Sequence, residues 1–141
     1  MSYYIGVTGP SKNYLPNDGD MRELTQKIKQ ALNKASEWGD DDLDPKTYIV
    51  SSLIFEGVTM LAHNIAQSMQ LGYIGIDCTL SKSFDAYPHA KGIVERYVKG
   101  PFGAENEEFI KNIDVLIPIG NLTSNDRAKI DLARTKGIPV I

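Results

Sequence analysis

The sequence predicts an α/β domain, a parallel sheet covered by helices on both faces. Two observations carry this expectation. Short apolar runs, bounded by Gly, Pro, Ser and Asn, alternate with segments of helical period along the whole chain. The run Tyr73-Ile74-Gly75-Ile76-Asp77 is also too apolar to leave one face wet, as expected of a strand buried on both sides.

The first strand is Tyr3–Val7, broken by Thr8-Gly9-Pro10-Ser11. A long loop with turn residues Pro16, Asn17, Asp18 and Gly19 follows. Asp20 then caps a helix whose apolar stripe is Met21, Leu24, Ile28 and Leu32 and which Gly39 ends. Trp38 is a packing residue near its end. Residues 40–45 form an acidic, solvated connection that lacks the Gly and Glu positions of a calcium loop.

The second strand, Thr47–Ser51, leads into the clearest amphipathic segment, Gly57–Gln70. Its apolar positions Val58, Leu61, Ala62, Ile65, Ala66 and Met69 recur at helical spacing, and Gly72 serves as the C′ stop. Tyr73–Asp77 is the third strand. Ser81–His89 reads as a loop, and Ile93, Val94, Tyr97 and Val98 are placed on a short helix that Gly100–Gly103 breaks. Glu105–Asn112 is a second short helix and Val115–Ile119 a fourth strand. Ser124 or Asn125 caps a last helix, Gly137 closes it, and Ile138–Ile141 is the fifth strand. Short strands alternating with helices give a doubly wound, Rossmann-like, three-layer α/β/α domain of about five strands. It spans residues 1–141, and no repeat, low-complexity tract or linker divides it.

Composition narrows the function. Hydrophobic residues make up 42% and charged residues 23%, which fits one globular domain and excludes a disordered chain. A net charge of −3 argues against an extended nucleic-acid surface, though not against a local phosphate pocket. Cys78 is the only cysteine, so no intramolecular disulfide or cysteine-based zinc site is available, and its place after an apolar run is that of a core residue. No basic leader or long apolar segment is present, so a cytoplasmic location without membrane contact is the expectation.

In such a sheet, ligands bind beyond the strand C-termini. Four loops lie there: Thr8–Ser11, Ser51–Gly57, Asp77–Ser83 and Gly120–Asn125. Their small and hydroxylic residues bring amides and hydroxyls close to a phosphate or sugar. Neither a dinucleotide fingerprint nor a Walker A loop is present, and Ser51 and Ser52 stand where an acidic ribose ligand would end the second strand. His63 reads as a surface or core-edge residue. His89 lies in a loop beside the presumed cleft, and Lys12 and Lys82 are phosphate neighbours. The two histidines are far apart with no paired carboxylate, so no metal site is expected.

Gly6-Val7-Thr8-Gly9, Ile49-Val50-Ser51-Ser52 with Gly57-Val58, residues 106–114 and the closing 131–141 together resemble the SLOG superfamily of Rossmann-like proteins. The likeness is to the YpsA/YoqJ-type branch, beside the DprA and LOG (lysine-decarboxylase-like) branches. It implies binding of a nucleotide or nucleotide-derived small molecule through Thr8, Gly9, Ser51, Ser52, Gly57, Gly120 and Asn121, in a homo-oligomer; Ser11 and Ser124 of the same loops join them as candidate binding residues, and no cofactor is expected. Two departures stand out. The LOG enzymes' PGGxGT signature appears only as Pro118-Ile119-Gly120-Asn121-Leu122-Thr123, and Ser52 replaces the usual glycine of an SG pair.

Three functions fit these residues. The first is a binding or sensing module. The second is an enzyme cleaving or transferring at a nucleoside N-glycosidic bond, like a nucleoside 2-deoxyribosyltransferase or a phosphoribohydrolase. Glu56, kept ionised at a helix N-terminus, or Asp77 would then be its nucleophile or base. The third is an oligomeric interaction protein with a vestigial pocket.

Overall fold

The computed structural model describes residues 2–36, 46–80 and 93–141. Five parallel strands form one sheet: β1 (Tyr3–Thr8), β2 (Thr47–Ser51), β3 (Gly72–Cys78), β4 (Ile93–Val98) and β5 (Val115–Pro118), in the order β4-β3-β2-β1-β5. The helices among the described residues are α1 (Asp18–Ser36), α2 (Gly57–Ser68), α3 (Asn106–Lys111) and α4 (Ser124–Thr135). The fold is the expected Rossmann-like α/β architecture.

Strand alternation divides the core in two. On one face Tyr3, Ile5, Val7, Ile49 and Ile117 pack against Leu24 and Ile28 of α1 and Val58, Ala62 and Ala66 of α2. On the other, Val50, Ile74, Ile76 and Leu116 meet Phe109 and Ile110 of α3 and Ile130 and Ala133 of α4. The strands grow outward from β1 through β2 and β3 to β4, whereas β5 pairs on the opposite side of β1. The loops leaving β1 and β5 therefore diverge, and the crevice of a doubly wound sheet opens between them.

The structure corrects several local expectations. Residues 93–98 form the edge strand β4 rather than a helix, with Tyr97 opposite Asp77. The segment's β-branched and aromatic residues suit a strand, but its four central residues are exposed, so no alternation revealed it. Residues 138–141 make only an isolated bridge to β5, between Leu116 and Val140.

The first helix starts two residues before Asp20. Asn17 and Asp20 cap it reciprocally, the Asp20 N–H donating to Asn17 Oδ1 (2.8 Å) and the Asn17 N–H to Asp20 Oδ2 (3.1 Å). Its buried stripe is Leu24, Ile28, Ala31 and Ala35, and Met21 faces outward. Thr123, not Ser124 or Asn125, caps α4, in a reciprocal box with Asp126. The left-handed residue after α2 is Gln70 (φ 57°), while Gly72 already belongs to β3. Gly137 (φ 74°) closes the last helix as expected. Trp38, Gly39, the acidic 40–45 stretch, Lys82 and His89 lie outside the described residues.

Candidate functional site

Parallel register brings Thr8, Ser51, Cys78 and Pro118 to one edge of the sheet. Beyond them lies a cleft of about 220 Å³, walled by the β1 loop, the β2 loop and the starts of α3 and α4. Many small-molecule pockets are larger, roughly 300–1,000 Å³, so this one is small for a site that encloses a whole ligand.

One wall is a row of hydroxyls. Thr59, in the first turn of α2, shares hydrogen bonds with Ser11 (2.7 Å) and Ser52 (2.8 Å), so three hydroxyls from three segments form one chain. The Ile54 N–H donates to Ser52 Oγ (3.1 Å) and holds it in place. Ser51 does a different job because consecutive strand residues point to opposite faces. Its buried hydroxyl donates to the Val7 carbonyl (2.9 Å) and ties β2 to β1.

Gly57 lets these loops approach. Its φ is +56°, and a Cβ there would stand 2.5 Å from the carbonyl oxygens of Pro10 and Ser11. The Val58 N–H donates to that same Pro10 carbonyl (3.0 Å), so the N-terminus of α2 docks on the β1 loop.

The floor is charged and buried. Asp77, Glu105, Asp126 and Lys129 are each 8% exposed or less. Asp77 accepts the Cys78 N–H (2.9 Å) and the Leu53 N–H (3.3 Å). Burial raises its pKa above the ordinary carboxylate value, and the Glu105 charge adds to the rise. The two N–H donors and the Lys129 ammonium oppose it. Glu105 accepts Asn125 Nδ2 (2.9 Å) and Lys129 Nζ (3.5 Å) on one oxygen and the Gly103 N–H (3.0 Å) on the other. The Lys129 ammonium also lies 5.4 Å from the centre of the Phe109 ring. Thr8 donates its hydroxyl to Asp126, whose other oxygen accepts the Thr123 N–H (2.9 Å) and hydroxyl (2.8 Å). Ligand atoms of Asp77, Cys78 and Glu105 stand within 4.8 Å of one another. Protein donors serve both carboxylates.

Of the residues proposed from sequence, Thr8, Gly9, Ser11, Ser51, Ser52 and Asp77 line this cleft together, with Lys12 beside them. Glu56 and Gly57 line a separate, shallower groove, where Glu56 accepts the Asn13 N–H (3.3 Å). Gly120, Asn121 and Ser124 line neither. Gly120 instead closes on Tyr14, whose hydroxyl oxygen would be 2.9 Å from a Cβ there. His63 packs its ring on Phe55 (5.0 Å between centres) and Tyr73 (5.3 Å), at the edge of the core. Cys78 is fully buried.

The sequence reading missed Thr59, Phe102, Glu105, Asp126 and Lys129, all of which line the cleft, and Asn125, the last residue of an expected ligand loop, lines it as well. For two of them a signal existed. Thr123-x-x-Asp126 is a capping-box spacing, and Asp126, Lys129, Ile130 and Ala133 recur at i, i+3, i+4 and i+7, a helix face that turned out buried.

The chain matches no family model and no curated protein sequence. Solved structures of the same fold do exist. The molybdenum cofactor binding protein of Rippkaea orientalis superimposes with a TM-score of 0.68 at 23% identity, over 99% of this chain and 75% of that one. The molybdenum cofactor carrier protein of Chlamydomonas reinhardtii gives 0.65 at 18% identity, over the same shares. At these identities the likeness is one of fold. No described helix is long and apolar enough to cross a membrane.

Proposed function

We propose that this chain is a SLOG-type module of the YpsA/YoqJ kind that binds a nucleotide or nucleotide-derived small molecule at the C-terminal edge of its sheet. The observation that carries the reading is the Ser11–Thr59–Ser52 hydroxyl row, set at the crevice where the β1 and β5 loops diverge. Hydroxyls and a glycine-containing loop beside a lysine suit a sugar or a phosphate rather than an apolar ligand. The similar folds named for binding or carrying the molybdenum cofactor support a small-molecule role and make that cofactor one arm of the test.

Binding is the first reading and catalysis the second. A glycosidic nucleophile must be ionised and beside the sugar. Glu56 lies on the other groove, and Asp77 is buried with both oxygens engaged by backbone N–H groups.

Thermal-shift measurements against mononucleotides, cyclic nucleotides and the molybdenum cofactor test the reading. A binder at a hundred times its Kd stabilises the fold by about 2.7 kcal/mol. Silence from every ligand overturns the proposal, and release of free base from nucleosides would move the function to the enzyme class. A homo-oligomer is proposed with it, read as a light-scattering mass above the 15.6 kDa of one chain.

A further inference from the structure

Strand alternation puts Tyr73, Gly75 and Asp77 of β3 in line on one face, and all three meet the loop that follows β2. The Tyr73 hydroxyl donates to the Ser52 carbonyl (2.7 Å). Gly75 lies against Leu53, where a Cβ would come within 2.1 Å of Leu53 Cδ2. The Leu53 N–H donates to Asp77 Oδ2 (3.3 Å). The start of the β2 loop is thus laid on β3 at three points.

The course of that loop decides where Ser52 presents its side chain. Ser52 Oγ shares a hydrogen bond with Thr59 (2.8 Å) and accepts the Ile54 N–H (3.1 Å), in the hydroxyl row that lines the cleft. With its carbonyl held by Tyr73, the ψ angle of Ser52 is set, and the amide two residues on stays within reach of Oγ. Tyr73 stands behind this wall at 3% exposure. Its ring packs on Phe55 (5.6 Å between centres) and edge-on against His63 (5.3 Å). These ring contacts fix the direction of the hydroxyl, and Tyr73→Phe removes the hydroxyl while keeping them.

Building on the nucleotide-binding reading, we infer that Tyr73 is a positioning residue of the cleft: its hydroxyl sets the β2 loop so that Ser52 meets the ligand. Its effect on binding therefore runs through Ser52.

Isothermal titration of the full chain with AMP, GMP, CMP and UMP, joined to amide hydrogen exchange read by NMR, tests the inference. Tyr73→Phe is expected to weaken the tightest of these nucleotides about three- to tenfold, the range of one hydrogen bond. Ser52→Ala is expected to weaken it too, and Tyr73→Phe added to Ser52→Ala should cost nothing further. A role in stability alone would lower the urea midpoint and leave the Kd of the folded protein unchanged. In the ligand-free chain, Tyr73→Phe should speed exchange of the Ile54 amide at least about threefold more than that of Ile5 in β1. An unchanged Kd in Tyr73→Phe, or losses that add in the double variant, overturns the inference alone. So does an Ile54 amide whose exchange rises no more than that of Ile5. Failure of every one of these nucleotides to bind the wild type overturns the nucleotide reading instead, and the exchange comparison still decides whether Tyr73 sets the loop.

Discussion

Thr8, the last residue of β1, donates its hydroxyl to Asp126 in the first turn of α4, a buried hydrogen bond of 2.5 Å between residues 118 positions apart. It fastens β1 to the last helix across the crevice, and it holds the Asp126 carboxylate that also caps α4 through Thr123. Thr8→Val keeps the shape and removes the donor. Its expected cost is about 1–3 kcal/mol, from a buried carboxylate left short of a partner. Thr8→Ser should retain most of the stability. Urea denaturation of the two variants checks this, and equal midpoints would refute it.

Thr59 joins Ser11 to Ser52 through its hydroxyl. Thr59→Val breaks the row at its centre while keeping β-branched packing under the β1 loop. The fold should lose about 1 kcal/mol, and nucleotide affinity should fall about tenfold. A ligand-induced thermal shift unchanged from wild type would remove the hydroxyl row from the binding site.

Glu105 and Lys129 form a buried pair, their side chains 4% and 10% exposed and 3.5 Å apart. Removing one partner strands the other, so Lys129→Met is expected to cost about 3–5 kcal/mol. The double variant Glu105→Gln/Lys129→Met should recover a large part of that loss, because no uncompensated charge remains. A double-mutant cycle by chemical denaturation measures the coupling. Strict additivity would show that the pair does not act as a unit.

Asp77 carries a pH signature. Burial raises its folded-state pKa above the ordinary 3.8, so the folded protein holds this proton where the unfolded chain has released it. The associated stability is full below 3.8 and is lost as pH rises through the raised folded value. Asp77→Asn should therefore lack this decline, and its stability relative to wild type should improve from acid toward neutral pH. Parallel pH profiles for the two proteins would contradict the assignment.

The elements legible in the sequence were those whose signals are local. β2 spans Thr47–Ser51 as expected, and α2 buries Val58, Ala62, Ile65 and Ala66 along the stripe read from their spacing. The loops carrying Thr8, Gly9, Ser11 and Ser52 were identifiable because small and hydroxylic residues follow short apolar runs. Ile93–Val98 was not legible, since an edge strand with an exposed centre lacks the alternation that marks a half-buried strand. Glu56 looked equivalent to Asp77 as a carboxylate near a strand end. Only the docking of Gly57 on the Pro10–Ser11 backbone shows that the two acids line different depressions.

The sequence by itself determined the α/β class, most of the element order and several of the strand-end loops that wall the cleft. Hydrophobic period, turn residues and strand-to-helix junctions all act over a few neighbouring residues. Tertiary structure alone decided the chemistry of the cleft floor. Thr8 meets Asp126, Asp77 meets the Leu53 amide and Glu105 meets Lys129 across separations of 118, 24 and 24 residues. Those meetings depend on sheet order and on which face each helix turns inward, and both are set by the packing of the whole core rather than by any local run of residues.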